Sequence, residues 1–147
     1  MESPAEDLPR LPQFGPDRRK DSKVRRQLSA PAMRTFFHIV EGGWNLSSEQ
    51  QRGLLGWPSP STFFNYKAGK VGALSLDMLT RISLVLGIYK NLQILYPEEA
   101  LADSWVKLPN NNRLFGGKPA ITYMTENDMD ALFQVRRLLD ARRGAWS

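Results

Sequence analysis

The sequence predicts an all-α protein, and three observations carry the prediction. From about residue 30 onward, apolar side chains recur at three- and four-residue spacings, the signature of amphipathic helices. Serines placed to cap helices stand at Ser47, Ser59 and Ser75. Two of the helices so opened are short and meet across "GLLGWPSPS", a glycine–proline turn that is the sequence form of a helix-turn-helix.

The first predicted helix lies in "APAMRTFFHIVEGG", where Met33, Phe36, Phe37 and Val40 share a face and the pair Gly42-Gly43 stops it. In "NLSSEQ", Ser47 can cap a second helix while Gln50, three residues on, reaches back in the capping-box manner. Gly56 can take a left-handed turn and Pro58 forbids continuation, so this helix is short. Ser59-Pro60 is then a fresh N-cap with proline at the first helical position. On the helix that follows, Phe63 and Tyr66 share an inward face, which leaves Ser61, Thr62, Asn65 and Lys67 outside and Lys70 just beyond. Hydroxyls, an amide and lysines suit hydrogen bonds to phosphates and base edges in a major groove, and equally an ordinary solvated face.

Ser75 can cap the next helix, whose face of Leu76, Leu79, Ile82, Val85 and Leu86 is expected to end at Gly87. A further short helix is expected over Tyr89 to Leu95, with Pro97 as a boundary, making five short helices between about 30 and 96. Beyond it, a turn or two of helix leads to Trp105. Loop signals follow: Pro109, three asparagines, and Gly116-Gly117 before Pro119. A last helix is expected to open at Thr125, with acids in its first turn and Arg142 and Arg143 in its last, and to stop at Gly144. Met129, Leu132, Val135 and Leu139 make its packing face, and Trp146 is left either folded back or held out for a partner.

With 147 residues, 41% of them hydrophobic, the chain can bury the core of one domain or of two very small ones. It has no cysteine, which excludes a disulfide framework and thiolate zinc sites and fits a reducing compartment. No apolar run is long enough to span a bilayer and no signal-peptide pattern is present, so a soluble, cytoplasmic protein with no membrane partner is expected. The net charge of +5 is concentrated in Arg18 to Arg26, "RRKDSKVRR", which holds six basic residues and one acid. Residues 1–28 also contain Pro4, Pro9, Pro12 and Pro16 and few aliphatics, a composition that reads as a disordered arm. Such an arm is either a solubilising tail or a source of non-specific attraction to phosphates.

Four segments in order, "WNLSSEQQRGLLGWPSPSTFFNYKAGK", "LSLDMLTRISLVLGIYKNLQILYP", "SWVKLPNNNRLFGGKPAITYM" and "VRRLLDARRGAW", resemble the Xre/MbcA/ParS antitoxin family. The resemblance implies an Xre-like helix-turn-helix domain over residues 29–96 and a helical toxin-binding domain over 97–147. It further implies a non-enzymatic inhibitor, without cofactor, that covers the active-site cleft of a RES-domain toxin, a protein that consumes NAD⁺ or uses it to ADP-ribosylate a target. The helix-turn-helix half would dimerise and repress the operon by binding operator DNA. On this sequence the cleft-covering role falls to Arg136, Arg137, Arg142, Arg143 and Trp146, with Asn110, Asn111, Asn112, Arg113 and Phe115 as a second contact. Phe115 departs from the family pattern, which has an aliphatic residue before the glycine pair.

An enzyme reading finds little to stand on. His38 is the only histidine, flanked by Phe36, Phe37, Ile39 and Val40, with no partner at catalytic spacing. Glu98-Glu99 and the acids over 126–130 fall where helix starts favour them, and no glycine-rich phosphate loop or metal-ligand spacing is present. The rival is a stand-alone transcriptional regulator whose C-terminal half only oligomerises.

Overall fold

The computed structural model describes residues 21–146, with side-chain placements as far as residue 144. Among them are seven α-helices and no strand, as the all-α expectation has it. α1 spans Ser22–Phe37, and its N-cap Asp21 accepts the Lys23 N–H at 2.8 Å. Residues 22–28, expected to belong to a disordered arm over 1–28, are therefore helical. Val24 in the basic run and Leu28 just after it are four residues apart and both buried, while Lys23 and Arg26 stay outside. Buried Ser29 accepts the Leu74 N–H at 2.9 Å, tying this helix to the segment before α4 (Leu76–Leu95). Residues 1–20 of the arm lie outside the described residues.

α1 runs into a π-helical turn, His38–Gly43, that ends at the expected glycine pair. α2, Ser48–Leu54, starts with both bonds of the capping box: Ser47 N–H to Gln50 Oε1 at 3.0 Å and Gln50 N–H to Ser47 Oγ at 3.1 Å. Gly56 turns the chain at φ +82°. α3, Pro60–Lys67, opens on Ser59 Oγ, which accepts the Thr62 N–H at 3.2 Å.

Two boundaries differ from expectation in the next stretch. α4 does not stop at Gly87, and no separate helix begins at Tyr89; one helix of 20 residues runs through. Glycine is there because another helix comes close: a Cβ at Gly87 would lie 1.5 Å from Arg136 Nη1. The count between residues 30 and 96 is accordingly four α-helices and one π turn.

Beyond Pro97 come α5, Glu99–Ser104, and a 3₁₀ turn, Trp105–Lys107. The loop that follows is pinched by a bridge between Pro109 and Pro119. α6 spans Ala120–Glu126 and α7 spans Met129–Trp146. Thr125 thus closes α6, its hydroxyl donating to the Ile121 carbonyl at 2.8 Å, instead of opening the last helix. Asp128 takes the capping role, accepting the Asp130 N–H at 3.1 Å. Gly144 does not stop α7, because the helix continues through Trp146.

α4 is the axis of the molecule, packed against both α1 and α7. Leu132, Val135 and Leu139 of α7 are fully buried, the face that the spacing indicated. The apolar cluster extends from Val24 to Leu139 without a break at Pro97. Further stitches cross that point: Trp57 donates its indole N–H to the Thr125 carbonyl at 3.2 Å, and a Cβ on Gly43 would meet Asp103 Oδ1 at 2.8 Å.

Candidate functional site

α7 divides its arginines between two jobs. Asn91 of α4, fully buried, donates its amide to Asp140 Oδ1 at 2.7 Å and accepts from Arg143 Nη1 at 2.8 Å. Arg136 donates its Nε–H to the same Asp140 oxygen at 3.1 Å while its guanidinium lies over Gly87. Arg136 and Arg143, expected to face a partner, are thus engaged with α4. Arg137 points outward and is exposed, and Arg142 is half-buried. Partial burial pushes the Asp140 carboxyl upward, but hydrogen bonds from Asn91 and Arg136 and the charges of Arg136 and Arg143 outweigh it and hold the group below its ordinary range. The side chain of Trp146 lies outside the described residues.

In the loop of residues 110–117, Asn110 Oδ1 accepts the Asn112 N–H and Asn112 Oδ1 accepts the Leu114 N–H, both at 2.9 Å. These two asparagines shape the loop in the manner of Asx turns. Asn111 and Arg113 are the exposed pair. Phe115, expected as a partner contact, is 4% exposed, edge-on to Trp105 at 5.9 Å and to Tyr123 at 5.6 Å. Its ring fills core volume, which accounts for an aromatic residue before the glycine pair. Gly116 and Gly117 follow at φ +59° and +85°.

On α3, Ser61 and Asn65 are exposed, as is Lys70 three residues beyond its end. Thr62 is half-buried, and Ser59 Oγ donates to its hydroxyl at 2.9 Å. Lys67 is drawn aside: its Nζ lies 3.0 Å from Glu41 Oε1 and 5.4 Å from the centre of the Phe63 ring. Phe64 stands 58% exposed on the same helix, a feature the inward-facing aromatic pattern did not reveal. Between α1 and α3 runs an open groove of about 580 Å³, with Met33, Phe37, Tyr66 and Val71 in its lining and exposed His38 beside Glu41. No cluster of potential metal ligands occurs among the described residues.

The surfaces of α4 to α7 coincide with a matched family domain. Residues 91–144 match the antitoxin Xre/MbcA/ParS C-terminal toxin-binding domain. Residues 91–144 carry the toxin-binding domain of the Xre/MbcA/ParS antitoxin family. That domain starts inside α4, at Asn91 itself, so the clasp between Asn91 and α7 falls wholly within it. The chain is also similar to the uncharacterized protein y4oB of Sinorhizobium fredii (strain NBRC 101917 / NGR234), with 39% identity over 112 residues, 76% of this chain and 84% of that protein. No solved structure matches it significantly. The partner class that follows for this antitoxin is a toxin, and no described helix is long and apolar enough to cross a membrane.

Proposed function

We propose that this antitoxin silences a RES-domain toxin by covering its NAD⁺ site, and that it represses its own operon as a cytoplasmic homodimer. The observation that carries the reading is the toxin-binding domain over residues 91–144, in which α7 directs Arg137 to solvent. An NAD⁺ site must bind a pyrophosphate and stack a planar ring. Arg137 and Arg142 supply cations for the first requirement, and Trp146 at the end of α7 supplies a ring for the second. Asn111 and Arg113 offer a second contact from the loop. Inhibition of this kind asks only that the cleft be filled, so no catalytic group or cofactor is needed.

For the operator, the supporting features are the two short helices about Gly56, the exposed Ser61 and Asn65 of the second, and exposed Lys70 in the loop just after it. Exposed Lys23 and Arg26 at the start of α1 add positive charge. A homodimer would present two such helices to two half-sites.

The test is co-expression with a RES-domain toxin, the one encoded next to this gene where such a neighbour exists. Growth rescue and co-purification of the two chains are expected. A toxin that kills equally with or without this chain, and does not co-purify with it, would reject the reading.

A further inference from the structure

We infer that Asn91 is a positioning residue for toxin recognition, acting through Asp140 and Arg143 to fix how α7 presents its outward arginine. The toxin-facing part rests on the function proposed above. A buried asparagine in a helix that is apolar on most sides is costly unless both ends of its amide are bonded. Here both ends are bonded, and both partners lie on one other helix: Asp140 takes the donor and Arg143 supplies the acceptor's proton. Arg136 completes the set on the same Asp140 oxygen, seated where Gly87 leaves room. Positions 136, 140 and 143 form one stripe of α7, so fastening them fixes the rotation of the helix about its own axis. Apolar packing of Leu132, Val135 and Leu139 holds α7 in place but is non-directional, whereas these bonds set an angle. Arg137 follows Arg136 by one residue, about 100° around the helix, and its direction is set by that angle.

The test compares the full-length parent with Asn91→Ala and Asn91→Asp, using as the probe the RES-domain toxin that the parent neutralises in the co-expression test. Asn91→Asp keeps an acceptor for Arg143 but loses the donor and sets a second carboxylate beside Asp140. Binding is measured at a temperature where circular dichroism gives all chains the same helix content. Both variants are expected to lose about tenfold or more in toxin affinity, the scale of a hydrogen bond to a charged group. The double variant Asn91→Ala/Arg143→Ala is expected to lose little more than Asn91→Ala alone. In the free chain, the Asp140 carboxyl titration followed by ¹³C NMR is expected to move upward in both variants. Parent-like toxin affinity with only a lower melting temperature would overturn the positioning role. An unmoved Asp140 titration would overturn the clasp itself, whatever the toxin does. A parent that fails to bind the toxin would overturn the proposed function together with the toxin-facing half of this one, and the titration would still decide the clasp.

Discussion

Gly87 sits inside a 20-residue helix, where helix propensity alone favours alanine by about 1 kcal/mol. The added methyl would meet the guanidinium of Arg136, the far end of a flexible side chain that can swing away. Gly87→Ala is therefore expected to melt within a few degrees of the parent, because propensity gained offsets the bond lost. The Asp140 titration should nevertheless rise, since Arg136 is evicted; an unchanged titration would mean that Arg136 does not hold Asp140. The same carboxyl links stability to pH. Its folded pKa lies below the unfolded one, so its contribution is present above the ordinary carboxylate range and is lost as pH falls through the folded value. Asp140→Asn is accordingly expected to lower the melting temperature at pH 7 and to matter progressively less as pH falls below the ordinary carboxylate range. Little of this was legible beforehand. A glycine in a helical pattern reads as a stop, and nothing local to Asn91, four residues on, names the residues of α7 that it meets.

Among the elements, those opened by side-chain caps were read most accurately. Ser47 with Gln50, Ser59 with Pro60, and Ser75 are local devices, complete within four residues, so sequence alone places α2, α3 and α4 at their N-termini. C-termini and tertiary breaks were read less well. Thr125 resembles an N-cap, but its hydroxyl bonds back to Ile121, and whether α6 and α7 are one helix or two depends on contacts distant in sequence. α3 carries its own expectation. Asn65→Ala and Lys70→Ala should each weaken operator binding, and Lys70→Ala should also reduce the salt-dependence slope by about one unit. Lys67→Ala should change that slope less, because Lys67 is already paired with Glu41. Equal slopes for the parent and Lys70→Ala, in a salt titration of operator affinity, would take Lys70 off the DNA face.

At the scale of the whole molecule, the change of texture at Pro97 marks a loop-rich segment and leaves the core unbroken. The apolar faces on either side were each visible in the sequence, but periodicity shows which residues face inward, not which helix they meet. α4, from the first half, is the main support of α7 from the second. A fragment from residue 97 onward would expose the buried face of α7 and is expected to be largely unfolded by circular dichroism. A fragment from about residue 74 keeps α4 and should retain more helix. Equal helicity per residue in the two fragments would show that α7 does not depend on α4.

The most direct measurement is NAD⁺ turnover by the purified RES-type toxin as the full-length chain is added. Turnover should fall to background as complex forms, and Trp146→Ala should recover much of it, since truncating a central interface tryptophan costs roughly 2 kcal/mol or more, about thirtyfold in affinity. Full turnover by a toxin that is demonstrably bound would contradict the account, because the chain would then hold its partner without covering the site.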